Sequence, residues 1–184
     1  MRRLLFSVIL LAMASPAMAQ EETLIAPGGI ESGGFGAPVV TFSQVADNFA
    51  VFVGGRGGWI INHTFVLGGG GYGLVNNIDG GGPVRAVEFG YGGLEMEYIN
   101  SSNKLVHFTV YVLVGAGGLG GTAVNEESVF VLQPALNGEL NITRYFRVNL
   151  GAGYRWVVGV DSPGWSDSDF SSFYGQATLK FGSF

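Results

Sequence analysis

Phe146-Arg-Val-Asn-Leu-Gly-Ala-Gly-Tyr-Arg-Trp-Val-Val158 decides the fold. Its even positions, Phe146, Val148, Leu150, Ala152, Tyr154, Trp156 and Val158, are apolar or aromatic. The positions between them include Arg147, Asn149, Gly151, Gly153 and Arg155. A period of two is the signature of a strand, here with one apolar and one polar face. Soluble sandwiches also alternate, so the period alone does not place the strand in a membrane. Length does: the apolar face persists over about six alternate residues, a ~10-residue strand of bilayer-spanning length.

The same reading extends upstream. Phe130, Leu132, Leu136, Leu140 and Ile142 share a face, opposite Gln133, Asn137 and Glu139. Val106, Phe108, Val110, Val112 and Val114 alternate with His107, Thr109 and Tyr111. Eight strands are expected, near Gly36 to Ser43, Phe49 to Ile60, Thr64 to Val75, Val84 to Ile99, Leu105 to Gly117, Ser128 to Asn141, Tyr145 to Gly159 and Ser171 to Phe184. The expected fold class is all-β, an eight-stranded antiparallel up-and-down transmembrane β-barrel over residues 36–184. In the fourth strand Val87, Phe89 and Tyr91 lie on one parity and Leu94, Met96 and Tyr98 on the other. A bulge at Gly92-Gly93 would restore a common face. The third strand contains Gly68 to Gly71, which carry no side-chain pattern. Glycine there relieves crowding in a small, tightly curved barrel.

Connections are expected to alternate in length. The long set contains Gln44 to Asn48, Asn76 to Pro83, Gly118 to Glu127 and Val160 to Phe170; the short set contains Ile61 to His63, Asn100 to Lys104 and Ile142 to Arg144. Outer-membrane barrels have short periplasmic turns and longer outer loops. Both termini are therefore assigned to the periplasm. Aromatic side chains are expected in two girdles. Trp59, Phe65, Tyr98, Phe108, Phe146 and Phe181 belong to periplasmic strand ends, and Phe49, Phe130, Trp156 and Phe173 to the opposite ends.

The start of the chain agrees with export. Arg2 and Arg3, an apolar core from Leu4 to Met13 and a small-residue exit through Ala19 read as a signal peptide over residues 1–19, with Gln20 as the mature start. Residues 20–35 form an N-terminal periplasmic segment. Cleavage would leave 165 residues, with seven basic against fourteen acidic side chains. That net of −7 offers no basic surface to nucleic acid. Cysteine is absent, which excludes an acylated lipoprotein start, disulfides and thiolate chemistry. A mean hydropathy of +0.35 without a helix-spanning apolar run leaves a closed barrel as the way to satisfy the backbone in lipid.

From Gly34 to Phe184 the chain resembles the small eight-stranded outer-membrane proteins, the class containing the OmpA transmembrane domain and OmpX. The closing segment from Phe173 to Phe184 looks like the terminal strand that the barrel-assembly machinery recognises. In that class the final aromatic shares a face with the hydrophobic residues before it. Here Phe173, Ala177, Leu179 and Phe181 are odd and Phe184 is even, so either a terminal bulge or an anchoring role for Phe181 is required.

The inward face carries the candidate chemistry. Arg56, Arg147, Arg155 and Lys180 balance Glu88, Glu95, Glu97 and Glu139, joined by His107, Tyr111, Gln133, Asn137 and Asn149. Buried charges must pair, and eight strands enclose room for little besides side chains. A self-neutralising lumen network is expected, rather than an ion path. His63 and His107 have no serine and carboxylate at recognisable catalytic spacing, and Ser128 and Ser171 are the hydroxyls near the outer rim. No catalytic, cofactor-binding or metal residue is assigned, and no cofactor is expected. The long connections carry Asp47, Asp79, Glu126, Glu127, Asp161, Asp167 and Asp169; ordinary solvation of surface loops is the favoured reading, and recruitment of divalent cations that bridge lipopolysaccharide phosphates is the alternative, since no spacing matches a calcium loop.

The function these features imply is a structural or interaction barrel of the outer membrane, in contact with lipid and lipopolysaccharide. The rivals are an outer-leaflet lipid-modifying enzyme and a narrow channel for small solutes, which Gly54, Gly58 and Gly115 on the inward face would favour. A three-residue turn at Ile142 to Arg144 sets Asn141 opposite Tyr145, Glu139 opposite Arg147 and Asn137 opposite Asn149.

Overall fold

The computed structural model describes residues 31–78, 87–121 and 126–184. The expected signal peptide and Asp79 lie outside the described residues. Eight strands, β1 (Ser32–Val45), β2 (Asn48–Ile61), β3 (Phe65–Leu74), β4 (Val87–Ile99), β5 (Val106–Gly121), β6 (Glu127–Thr143), β7 (Phe146–Val158) and β8 (Ser172–Ser183), follow one another around a closed antiparallel barrel. β1 closes on β8, with Gly34 opposite Ser183. Both ends of the described chain therefore share one rim, called lower here.

The faces are inverted relative to a soluble protein. On β4, Leu94 is 70% exposed while its neighbour Glu95 is 1% exposed. Met96, Val110, Leu136 and Leu150 likewise point out, while Glu97, Asn137 and Lys180 are buried. The expected girdle aromatics Phe49, Trp59, Phe65, Tyr98, Phe108, Phe130, Trp156, Phe173 and Phe181 are all exposed on the outside. Phe146 is half-buried because its ring stacks on that of Phe181 at 4.8 Å.

Several boundaries and one irregularity differ from the sequence expectations. β1 begins four residues earlier than expected and meets β2 through 46–47, where Ala46 and Asp47 take φ of 49° and 62°. Two consecutive left-handed residues are the geometry of a tight hairpin turn. Connection lengths consequently do not sort cleanly: 46–47 is shorter than 100–105 on the lower rim. The two longest, 75–86 and 159–171, are on the upper rim.

β4 has no bulge. Gly92 pairs with Gly71 and Ala116, and Gly93 with Gly70 and Gly115, in unbroken ladders. The parity switch arises because the upper lumen is itself apolar, so Val87, Phe89 and Tyr91 face inward above Glu95 and Glu97. The glycine run of β3 answers to close backbone approach: a Cβ at Gly68 would collide with the carbonyl of Gly57.

Proline interrupts two ladders. β6–β7 pairing stops between Leu132–Trp156 and Ala135–Gly153, around Pro134. β1–β8 pairing stops between Gly36–Phe181 and Val39–Thr178, around Pro38. Proline has no N–H to donate, so the β7–β8 hairpin is flanked by a weakened seam on each side.

Candidate functional site

The lower lumen is a charge and hydrogen-bond network built from seven strands, β2 to β8. Arg56 donates from Nε to Glu95 Oε2 at 2.8 Å and from Nη2 to Glu97 Oε2 at 2.7 Å. Lys180 bridges to Glu97 Oε1 at 2.7 Å and also donates to Glu139. Glu139 accepts further bonds from Arg147 Nη1 at 2.9 Å and Asn149 Nδ2 at 3.3 Å. His107 Nε2 lies 3.1 Å from Glu139 Oε1. The hydroxyls of Tyr72 and Tyr111 donate to Glu95 Oε1 at 2.8 and 2.9 Å. Above them, Gln176 donates to Asn137 at 2.7 Å, and Asn137 to Thr109 at 3.2 Å.

Burial makes each pair matter, since removing one partner would strand the other's charge away from water. Phe184 closes the network from below. It turns into the lumen, stacks on Phe35 at 6.3 Å and lies 4.1 Å beneath the Arg147 guanidinium. Phe181 is therefore the outward aromatic at the lower end of β8, and the ladder there needs no terminal bulge.

Two expectations about this network are corrected. Glu88 is exposed on the outer face, because β4 keeps its parity and alternates Val87 in, Glu88 out, Phe89 in. The β6–β7 register is displaced by two residues: Glu139 pairs with Asn149, Asn137 with Gly151, and Asn141 with Arg147. The turn is the two-residue 144–145, and an irregularity between Asn141 and Thr143 absorbs Ile142. A displacement of two preserves the inward face, and Arg147 reaches Glu139 diagonally rather than straight across.

With Glu88 outside, the lumen holds, among the described residues, four cations, Arg56, Arg147, Arg155 and Lys180, against three carboxylates, Glu95, Glu97 and Glu139. Arg155 is the surplus charge. It is fully buried in the upper lumen, and among the described residues it forms no ion pair. Its acceptors are neutral: the Phe170 carbonyl at 3.0 Å, Ser43 Oγ at 3.0 Å and the Gln44 carbonyl at 3.3 Å. The rings of Phe52 and Phe89 flank its guanidinium at 4.5 and 5.3 Å.

The connection 159–171 folds over the upper mouth. It contains a single helical turn, α1 (Asp167–Phe170), capped reciprocally by Ser166 and Asp169. Phe170 is fully buried against Phe89 and Trp165, so it stoppers the apolar upper lumen. Ala46 N–H donates to the Asp169 carbonyl at 2.7 Å, docking this connection on the β1–β2 hairpin.

The loop carboxylates have local partners. Asp167 Oδ1 accepts the amides of Gly159 and Val160, both at 2.9 Å. Glu127, three residues above Phe130, accepts the Ser162 hydroxyl at 2.6 Å and the Asp161 amide at 2.9 Å. These two bonds, the hydroxyl first, hold its carboxyl below the ordinary value. Among the described residues no three acidic or histidine side chains converge as a metal site.

His63 meets Glu31 at the exposed lower rim at 2.8 Å. Ser171 donates to the Asp167 carbonyl at 2.8 Å and accepts the Val157 amide at 2.9 Å, while Ser128 is exposed. Sequence reasoning missed the Phe170 stopper and both proline seams. A proline inside an otherwise regular strand is the signal that marks such a seam.

No protein-family model and no curated protein sequence matches the chain. Solved structures do match. Neisserial surface protein A superposes with a TM-score of 0.61 at 9% identity, over 84% of this chain and 98% of that one. Ail, the attachment invasion locus protein of Yersinia pestis, gives a TM-score of 0.48 at 12% identity, over 82% of this chain and 96% of that one. In fold, the chain is similar to the small eight-stranded outer-membrane barrels of which neisserial surface protein A is one.

Proposed function

We propose that this chain is an integral outer-membrane protein. Its barrel is a closed, non-conducting base for the connections it presents, with no catalytic role. The observation that carries this reading is the double closure of the lumen. A charge network from Arg56 to Arg147 fills the lower half, and Phe170 with its aromatic neighbours fills the upper half. The outward apolar face supports lipid as its surroundings, because a closed ladder satisfies the backbone there without water. The signal-like start, the two longest connections on one rim and both ends of the described chain on the other support an orientation with 75–86 and 159–171 outside the cell.

The outward Phe181 is the aromatic we assign to recognition by the assembly machinery. Lipid and lipopolysaccharide are the partners of the outer face. The hydroxyl of Ser171 is committed to the loop backbone, which counts against its use as a lipid-cleaving nucleophile. Purified protein reconstituted in planar bilayers containing lipopolysaccharide is expected to give no conductance steps and no turnover of the surrounding lipid. Reproducible unitary currents would replace this reading with the channel, and released fatty acid or lysolipid would replace it with the enzyme.

A further inference from the structure

We infer that the turns 100–105 and 144–145 form a binding surface for an anionic phospholipid, its phosphodiester held by Lys104 and Arg144 and its acyl chains against the barrel wall beside them. This deepens the reading that the outer face lies in lipid, and rests on it. The charges are sorted by height. Arg56, Arg147, Arg155 and Lys180 are buried in the lumen. Among the described residues, Lys104 and Arg144 are therefore the exposed lysine and arginine side chains, and both lie on the lower rim. The upper rim instead exposes Asp47, Glu88, Glu126 and Asp161, which would repel a lipid phosphate.

Fixed backbone brings the two cations to neighbouring turns while leaving their side chains uncommitted. Asn141 Nδ2 donates to the carbonyls of Ser102 and Lys104 at 2.9 and 2.7 Å, tying the 100–105 turn to the end of β6, three residues before Arg144. The Lys104 amide donates to the Ser101 carbonyl at 2.9 Å. None of these bonds uses the Lys104 ammonium. Neither it nor the Arg144 guanidinium forms an ion pair among the described residues. Glu31, the exposed carboxylate side chain of the described lower rim, is held by His63 at 2.8 Å. The wall beside the cations is apolar and exposed: Leu105 and Val106 follow Lys104, and Ile142 and Tyr145 flank Arg144. A cationic edge on an apolar wall fits a phosphate at the interface with its chains alongside. The Arg144 fork can reach two phosphate oxygens at once. A choline or ethanolamine headgroup would bring its own positive charge against the pair, so charge complementarity selects an anionic lipid. The lower rim lies opposite the connections proposed to be outside the cell, which selects a phospholipid of the periplasmic leaflet over lipopolysaccharide.

Two single-tryptophan proteins in phosphatidylcholine vesicles test this. One combines Tyr145→Trp with Trp59→Phe, Trp156→Phe and Trp165→Phe. The other carries only Trp156→Phe and Trp165→Phe and so retains Trp59, at the lower end of β2 and away from both turns. Phosphatidylglycerol or phosphatidylcholine brominated near the headgroup end of its chains is titrated in, and quenching gives the relative binding constant at each reporter. Two basic side chains near an anionic surface support a preference of up to about thirtyfold. The Tyr145→Trp reporter should favour phosphatidylglycerol by about tenfold or more, and Trp59 should respond equally to both lipids.

Lys104→Gln together with Arg144→Gln should bring the preference at the Tyr145→Trp reporter to about one, with each single variant between. Both positions are exposed in turns, so the barrel should still fold. Salt at about 1 M should lower the preference in the unsubstituted turns by screening. Equal constants at the two reporters, or a preference that survives the double variant, overturns the site. Lipid A that displaces the brominated phosphatidylglycerol more effectively, phosphate for phosphate, than unbrominated phosphatidylglycerol does overturns the choice of phospholipid. Brominated phosphatidylcholine that fails to quench Trp59 overturns the lipid-embedded reading instead.

Discussion

Glu139→Gln should be the most damaging near-isosteric change in the lower lumen. The Glu139 carboxylate accepts from Arg147, Lys180 and Asn149 and faces His107, all in a volume closed to water. Losing its charge leaves Lys180 with Glu97 alone, and Arg147 with a 3.5 Å contact to Ser102 and the Phe184 ring. Breaking a buried pair from one side costs about 3–5 kcal/mol. Arg147→Met is milder, because Glu139 keeps its bonds to Lys180 and Asn149; loss of one charged hydrogen bond is about 1.5–3 kcal/mol. The double variant should cost less than the sum, with a coupling of about 1–3 kcal/mol.

Against a total stability of about 5–15 kcal/mol these effects are large. They can be read as urea midpoints in lipid vesicles at unchanged m. Strictly additive losses, or Arg147→Met matching Glu139→Gln, would refute the claim that Glu139 is the centre of the network.

The other predictions are local. Gly115→Val should prevent formation of the heat-modifiable folded band on electrophoresis, since a Cβ there runs into the Gly92 carbonyl, whereas Gly73→Ala, which meets open space, should leave the band unchanged. Phe170→Ala removes the fully buried stopper, and with about 3 kcal/mol or more of packing lost the 159–171 connection should become cleavable by protease while the barrel stays folded. Glu127 is held below its ordinary value of 4.5, so its bonds to Ser162 and Asp161 are present above that value and lost as pH falls through the lower, folded one. Protease resistance of 159–171 should therefore drop once acidification has passed below that ordinary value, and Glu127→Gln should weaken it at neutral pH; a pH-independent cleavage rate would contradict this.

The strand count and the inward and outward faces of β5 to β8 were legible because alternation is a local property of each segment. Register was not. The polar face permits any even displacement between β6 and β7, and the turn alone chose among them. β4 was misread because sequence reasoning treated the lumen as uniformly polar. Its upper half is apolar, so Phe89 and Tyr91 face inward without a bulge and Glu88 falls outside. That single change of face turns an expected charge balance into a surplus, and it isolates Arg155.

The stopper was hidden for a different reason. Phe170 lies in a loop, where neither period nor propensity shows which side chain turns inward. Composition left the loop acids between solvation and cation recruitment; Asp167 and Asp169 accept backbone amides of the 159–171 connection itself. Phe184 and Phe181 were separable by parity alone, and parity pointed to the outward one.

The central claim is a membrane-crossing barrel with the 159–171 connection outside the cell and the 100–105 turn inside. The chain has no cysteine, so single substitutions Gly164→Cys and Asn103→Cys give unambiguous reporters. Both positions are exposed in connections on opposite rims. With a membrane-impermeant maleimide, Gly164→Cys should be labelled on intact cells and Asn103→Cys only after the outer membrane is permeabilised. Labelling of Asn103→Cys alone on intact cells would reverse the orientation, and equal labelling of both without permeabilisation would contradict a barrel that crosses the membrane.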